Sequence, residues 1–274
     1  MSNLVSTEWL AAHLKDVRVV DASWYMPDEK RQPAKEFEAG HIPGAVFFDI
    51  DGIADKSSGL PHMLPSPGEF SRAVGALGIG DGETVVAYDG SGMFSAPRLW
   101  WTFKAMGHDK VKVLDGGFPK WKREGRAVET GPGRAGNKFF TAILKPQIVR
   151  DFGQVMATVA DKSAQILDAR STGRFKAEEP EPRAGVRGGH MPGALNVHYR
   201  KLIADDGTLQ PPQVLRTVFG AVDLERPVVT SCGSGLTAAI LMLGLDEIGA
   251  KDVAVYDGSW TEWGGRPEAP VVTG

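Results

Sequence analysis

The chain has one cysteine in 274 residues. That scarcity excludes an internal disulfide and any Cys-x-x-Cys metal or redox pair. Histidine is nearly as sparse. The six fall at positions 13, 41, 62, 108, 190 and 198, with no His-x-x-x-His pair and no acidic metal motif, so neither a metal nor a cofactor is expected. Long apolar runs are missing too: Ala238–Leu243 is among the longest, far below the ~20 residues of a membrane span. Neither sign of charge prevails, with 31 basic against 34 acidic residues and a net charge of −3, so nothing calls for a nucleic acid or an anionic membrane surface. The opening Met-Ser-Asn-Leu-Val-Ser-Thr-Glu lacks the basic and apolar regions of a secretory signal. With 42% hydrophobic and 24% charged residues, the expectation is a soluble, cytoplasmic globular chain.

The single cysteine sits in Pro227-Val228-Val229-Thr230-Ser231-Cys232-Gly233-Ser234-Gly235-Leu236-Thr237. This stretch reads as a buried strand, a glycine-punctuated loop and then a helix through Ala238–Leu243. Gly233 and Gly235 permit positive φ angles, and a loop of that kind turns its backbone N–H groups inward. A thiol at its centre, beside a helix N-terminus, faces partial positive charge, which favours thiolate. Cys232 is therefore a candidate nucleophile, and a nucleophile needs an approach from solvent. The plainer alternative is a small buried hydrophobe.

The two halves of the chain repeat one order of elements. Ser6 caps a helix over Thr7–Leu14, the strand Arg18–Asp21 follows, and the turn Gly40-His41-Ile42-Pro43-Gly44-Ala45 leads to a short strand at Val46–Phe48. A helix near Ser66–Leu77, the strand Thr84–Tyr88 ending at Asp89, a helix over Ala96–Met106 and the strand Val111–Leu114 before Asp115-Gly116-Gly117 complete the first copy. In the second copy a helix begins at Ile148–Asp151, Gln165–Asp168 is the matching strand and Gly189-His190-Met191-Pro192-Gly193-Ala194 repeats the turn. The offset is 147 at Asp21/Asp168, 149 at His41/His190, 143 at Asp89/Cys232 and 142 at Asp115/Asp257. A slow drift of this kind marks two copies of one domain rather than a short-period solenoid. Residues 1–130 and 148–274 are the expected domains, and 131–147, opening Gly131-Pro132-Gly133-Arg134-Ala135-Gly136, has linker composition. Each copy should be α/β, a mainly parallel sheet with helices on both faces. Ligands of such sheets collect at the carboxyl ends of strands, where Cys232 lies. Only the second copy has the cysteine; the first has Asp89 and is expected to be non-catalytic.

The Gly-His-x-Pro-Gly-Ala turns, the tandem halves, the Asp-Gly-Gly…Trp121 and Tyr256-Asp257-Gly258-Ser259-Trp260…Trp263 endings and the cysteine loop resemble the rhodanese sulfurtransferases over nearly the whole chain. Cys232-Gly233-Ser234-Gly235-Leu236-Thr237 is similar to the 3-mercaptopyruvate sulfurtransferase loop, Leu236 replacing the usual valine. Asp168-Ala169-Arg170-Ser171, Gly173-Arg174-Phe175 and Pro180-Glu181-Pro182-Arg183 are also similar to that subgroup. The resemblance implies that Cys232 takes sulfane sulfur as a persulfide and passes it to a thiol or cyanide. It also implies a donor of small size and a thiol acceptor such as thioredoxin or a low-molecular-weight thiol, the chain having no second cysteine to resolve the persulfide.

Backbone N–H groups from Gly233 to Thr237, including those of Gly235 and Leu236, can hold a thiolate and a persulfide without a cation. The Thr237 hydroxyl either adds a hydrogen bond there or caps the helix. Thiosulfate-using relatives carry two basic residues after the cysteine, whereas Gly233 and Ser234 are neutral. A contact at ~4 Å is worth up to about 4 kcal/mol at an effective dielectric near 20 before desolvation, so thiosulfate use should suffer. A keto acid needs planar forks for its carboxylate and keto oxygen, and the resemblance places Arg174 and Arg183 at substrate-binding positions. Phe175 precedes His190 by fifteen residues and Phe37 precedes His41 by four, an insertion of eleven; Arg183 lies inside it and Arg174 just before it, so both belong to the half-specific part. Their alternative is pairing with Glu178, Glu179 and Glu181 on a solvated loop; Arg170 and Arg187 are read as structural. Pyruvate must leave through an enolate that gains a proton, and Ser234 with His41 is a candidate relay. The repeat of the histidine turn favours a bracing role for His41 as the alternative, and Asp28 or Glu29 could orient its ring. Trp24 either lines a cleft or fills core. Competing readings are a thiosulfate sulfurtransferase, a persulfide carrier without turnover, and a phosphatase, whose cysteine-x₅-arginine loop is absent.

Overall fold

The computed structural model describes residues 2–274. The chain divides into two compact units. The first comprises residues up to Asp55, Leu64–Lys145 and Ala204–Leu209; the second comprises Lys56–Met63, Pro146–Ile203 and Gln210–Gly274. The stretch with linker composition is anchored on the first unit: Lys138 N–H donates to Gly75 O at 2.9 Å, Ile143 N–H donates to Met106 O at 2.9 Å, and Phe140 is buried.

Ten short strands form two sheets of five. In the first unit they are β1 Leu4–Val5, β2 Val17–Asp21, β3 Val46–Phe47, β4 Thr84–Tyr88 and β5 Val111–Leu114, in the spatial order β1-β5-β4-β2-β3. In the second they are β6 Val149–Arg150, β7 Gln165–Asp168, β8 Leu195–Asn196, β9 Val228–Ser231 and β10 Val253–Tyr256, in the order β6-β10-β9-β7-β8. The two orders are the same permutation, and every pairing is parallel. The duplicated α/β fold expected from the drifting repeat is what forms. The edge strands β1 and β6 escape sequence reading because two residues show no period; Ile148–Arg150, expected to open a helix, instead holds β6, and Asp151 caps the helix Phe152–Asp161.

The central strands are continuous apolar runs because helices cover both faces of a parallel sheet. All four residues of β9 and of β10 are buried. Leu10, Val19, Phe37, Ile42, Val86, Tyr88 and Trp121 belong to the first core, and Val155, Ile166, Met191, Val229, Tyr256, Trp260 and Trp263 to the second. Burying each such side chain contributes about 1.5–3 kcal/mol. The helix Ala238–Glu247 behind the cysteine loop is buried from Ala238 through Leu245. A helix with so little solvated surface is rigidly held, and the loop at its start is rigidly held with it.

One polar residue of the first core stands out. Asp21, at the end of β2, is 3% exposed. Burial raises its carboxyl to about 6, against bonds from Ser23 that lower it. The unfolded chain releases this proton near pH 4 and the folded chain near 6, so its contribution to stability falls as pH rises through that window and the loss is complete above it. At 1.36 kcal/mol per unit the penalty approaches ~3 kcal/mol. Asp21→Asn should therefore be more stable than wild type by about 2 kcal/mol at pH 8, with the advantage vanishing near pH 4. Denaturant melts at both pH values check this; an equal effect at both would contradict it.

Candidate functional site

Cys232 follows β9 directly, and its loop runs through Thr237 to the buried helix. Three bonds fix its backbone. Cys232 N–H donates to Ser259 Oγ at 3.1 Å, Trp260 N–H donates to Cys232 O at 2.9 Å, and Thr261 N–H donates to Gly233 O at 2.8 Å. Gly235 takes φ of +77°, as its position in the loop requires. Ser259, which sequence reading overlooked, has a left-handed φ of +48°. Its counterpart in the first unit is Gly117, with φ of +53°. A non-glycine residue held there costs of order 1 kcal/mol or more. The hydroxyl it brings accepts the Cys232 N–H and donates to Tyr256 O at 2.8 Å. The signal was available as a serine standing where the first copy has glycine.

The first unit shows what this loop holds. Asp89-Gly90-Ser91-Gly92 aligns with Cys232-Gly233-Ser234-Gly235, and Gly92 also has positive φ, +103°. The Asp89 carboxylate accepts from the N–H groups of Ser91, Phe94, Ser95 and Ala96 at 2.8–2.9 Å. Four peptide donors thus converge on an anion at the position equivalent to the cysteine, with no cation involved. Backbone N–H groups gathered in this way favour negative charge.

Thr237 stands at the N-cap of the helix with φ −76° and ψ −12°, but its side chain makes no capping bond. The helical φ/ψ of Thr237 differ from the extended backbone typical of a capping side chain, so the capping alternative is corrected. Cys232 itself is 2% exposed. That corrects the expectation of an open thiol: the sulfur lies at the floor of its loop, and a donor must displace rim side chains to meet it.

Arg174 belongs to that rim. Its Nη2 lies 3.1 Å from where a Cβ on Gly233 would be, so a side chain at 233 would require the guanidinium to give by a few tenths of an ångström. Arg174 Nη2 and Nε donate to Glu181 at 2.6 and 3.2 Å. Arg170 shares the same carboxylate through Nη1 at 2.8 Å and grips Asp168 through Nε and Nη2. Glu181 is not on a solvated loop: its side chain is 5% exposed, against 21% for Arg174. Asp168, Arg170, Glu181 and Arg174 carry no net charge together, and buried charges tolerate each other only when paired and bonded in this manner. Glu181 is a positioning residue that sequence reading weighed only as a competitor. Its flanking prolines in Pro180-Glu181-Pro182-Arg183 were the available signal.

Arg183 donates to Thr261 Oγ1 at 3.3 Å, and that hydroxyl donates to Gly233 O at 2.6 Å. The second unit therefore brings Arg174 and Arg183 to the cysteine loop from the half-specific part of its sequence. Arg187 instead donates to the carbonyls of Trp263, Gly264 and Ala269 and braces the chain's last helix.

His41 does not fit the relay. It is 0% exposed, its ring stacks on Phe37 at 4.0 Å between centroids, and Nδ1 lies 2.8 Å from Phe37 O. A carbonyl only accepts, so Nδ1 carries the proton, and Nε2 is buried without a partner. His190 repeats the arrangement with Phe175, at 3.7 Å and 2.9 Å. A feature built into both turns is a brace. Glu29 accepts from Met26 N–H rather than orienting the ring. Trp24, half-buried, stacks on Phe94 and donates to Asp51 at 2.7 Å. Among the described residues no cluster suits a metal ion, and no helix is long and apolar enough to cross a membrane.

Residues 6–124 and 152–266 each match the rhodanese-like domain family. The human 3-mercaptopyruvate sulfurtransferase is 41% identical over 99% of this chain and 95% of its own length. The rat thiosulfate sulfurtransferase is 42% identical over 99% of this chain and 95% of its own. The crystal structure of SseA from Escherichia coli, described as a 3-mercaptopyruvate sulfotransferase with the rhodanese fold, superposes with a TM-score of 0.87 at 38% identity, covering 95% of this chain and 99% of that one. With both halves matched and near-complete coverage by such relatives, the chain belongs to the rhodanese family, as a tandem of two rhodanese-like domains.

Proposed function

We propose that the chain is a sulfurtransferase that moves sulfur from 3-mercaptopyruvate, through a persulfide on Cys232, to a thiol or cyanide. The observation that carries the choice of donor is the Arg174 guanidinium held by Glu181 beside the neutral Gly233 of the cysteine loop. Relatives named for 3-mercaptopyruvate and for thiosulfate match equally well, so the donor is decided by charge. Neither residue after Cys232 is basic, Gly233 and Ser234 being neutral, and Arg183 reaches the loop through the Thr261 hydroxyl. A loop without cations of its own suits a keto acid's single carboxylate better than the thiosulfate dianion.

The chemistry follows from the cradle. The Cys232 thiolate attacks the donor's sulfur, a sulfur–sulfur bond forms and the donor's carbon–sulfur bond breaks. The electron pair of that bond goes to the enolate of pyruvate, which takes a proton at carbon and leaves. With His41 sealed in the first core, Ser234 is the remaining candidate for passing the proton from the donor's own thiol to that carbon. The persulfide then remains as an anion, which the backbone N–H groups of Gly233–Thr237 stabilise, those of Ser234 and Thr237 being the counterparts of the Ser91 and Phe94 groups that bond Asp89. Gly233, Gly235, Leu236 and Thr237 line the donor's path in this reading. Arg174 and Arg183 orient the keto acid, and an outside thiol (thioredoxin or a small thiol, in the cytoplasm) removes the outer sulfur.

Cys232→Ser should abolish transfer while leaving the thermal melt unchanged, and mass spectrometry after donor exposure should find one added sulfur on Cys232 in wild type alone. Retained turnover in the variant would overturn the nucleophile. Placing basic residues at Gly233 and Ser234 should move the donor ratio toward thiosulfate by tenfold or more; Arg174 has to yield space at 233, so Ser234→Lys is measured against Ser234→Ala, which removes the hydroxyl without adding charge. An unchanged ratio there contradicts the charge argument. Arg183→Ala should raise KM for mercaptopyruvate at least tenfold with a smaller change in kcat. Arg183→Lys, which keeps the charge without the fork, should recover only part of it.

A further inference from the structure

The first unit carries a cavity of about 320 Å³ whose lining includes Asp21, Ser23, Tyr25, Glu36, Gly40 and Phe118. Its meaning emerges from the equivalent volume of the second unit, which is filled by the Arg170 side chain. That guanidinium has four kinds of partner. It bonds both oxygens of Asp168, the Gly189 carbonyl at 2.7 Å and Glu181 at 2.8 Å, and its carbon lies 4.1 Å from the centre of the Trp260 ring.

Three of these partners have a counterpart on the wall of the first unit's cavity, while Glu181 lies in the segment that the first copy lacks. Asp21 ends β2 as Asp168 ends β7, and each accepts the N–H two residues on, from Ser23 at 2.8 Å and from Arg170 at 2.9 Å. Ser23 therefore stands where the second unit has Arg170. Gly40 precedes His41 as Gly189 precedes His190. Phe118 N–H donates to Asp89 O at 3.0 Å as Trp260 N–H donates to Cys232 O, so the two rings correspond. Glu36 accepts from the Tyr25 hydroxyl at 3.1 Å, and that hydroxyl crowds Gly90 as Arg174 crowds Gly233. The carboxylate, the glycine and the ring of a guanidinium socket are present in the first unit. No side chain enters it from the position equivalent to Arg170, because that residue is Ser23.

We propose that this cavity binds a guanidinium group brought by another molecule, seated between Asp21, Gly40 and the Phe118 ring. Asp21 has no cation among its interactions, and burying a carboxylate without one is unfavourable unless a partner arrives. The carboxyl's upward displacement to about 6 agrees with that. The two cations that line the cavity are otherwise engaged: Arg31 pairs with Glu36 at 2.5 Å and stacks on the Tyr25 ring at 3.5 Å, and the exposed Lys122 reaches over Phe118 at 4.7 Å. Lys122 excludes a second positive charge near the mouth, so the ligand is a monocation or carries an anionic group outside the socket.

The test titrates the full-length protein with propylguanidine and with the peptide acetyl-Gly-Arg-Gly-amide, by calorimetry and by thermal shift. Saturable binding of one equivalent of propylguanidine is expected, at least tenfold weaker in Asp21→Asn. Binding of propylguanidine alone assigns the socket to a free small molecule; peptide binding of equal or greater strength assigns it to an arginine of another protein chain. Ser23→Arg supplies the missing side chain from within and should both abolish binding and raise the melting temperature by several degrees. Absence of saturable binding by either probe, or undiminished binding in Ser23→Arg, would overturn the proposal. These readouts are independent of sulfur transfer, so they stand apart from the donor assignment.

Discussion

The glycine-punctuated loop after the central strand of each sheet is the constraint around which both units are arranged, and in the first unit four peptide N–H groups of this loop and the helix it opens converge on one carboxylate. This arrangement needs a glycine with positive φ in the loop, Gly92 in one copy and Gly235 in the other, and it needs the helix behind the loop to be immobile. The buried face of Ala238–Leu245 supplies that immobility. Electrostatic preorganisation of this sort involves no rearrangement when charge develops, which is why fixed backbone dipoles stabilise anions well in an enclosed site. Asp89 in the first unit accepts four such N–H groups and so makes the property of the loop visible without any ligand.

Duplication explains how the rest of the site diverged. The two sheets share one strand order and one register at their centres, Asp21 opposite Tyr88 and Asp168 opposite Ser231. On that common frame, a single position two residues past β2 or β7 decides what fills the space beside the loop. Arginine at 170 fills it, recruits Glu181 and thereby fixes Arg174 against Gly233. Serine at 23 leaves it open, and Tyr25 takes the place beside Gly90 instead. The chemistry of one unit and the vacancy of the other are thus two outcomes of the same backbone.

The fold was legible because its signals are long-range and repeated: the histidine turns, the aspartates ending strands and the cysteine position recur at a drifting offset, and four-residue apolar runs alternate with capped helices. The two-residue edge strands β1 and β6 were not legible, since their pairing is decided by neighbours in the sheet rather than by their own pattern, whereas the equally short β3 was marked by the histidine turn before it. In the candidate site, the cysteine loop and the half-specific Arg174 and Arg183 could be singled out from residue type and from comparison with the first copy, and the structure places both arginines at that loop. The role considered for His41 failed for a reason that the repeat had already hinted at. A ring stacked on Phe37 and tied to its carbonyl is committed to holding a turn, and no sequence pattern distinguishes that ring from an accessible one.

Residue order alone determined the duplication, the parallel α/β architecture, the single cysteine and the neutrality of the two residues after it, because these depend on identity and spacing along the chain. Only the tertiary structure decided which charges meet. Glu181 lies among several acids in one segment, and it is folding that buries this one between Arg170 and Arg174 while Glu179 accepts from the Ser171 hydroxyl. Burial of Cys232 at the loop floor, the left-handed Ser259 that holds its N–H and the cavity beside Asp21 belong to the same class. Each arises from several chain segments closing on one point, and distances of that kind are set by packing rather than by local sequence.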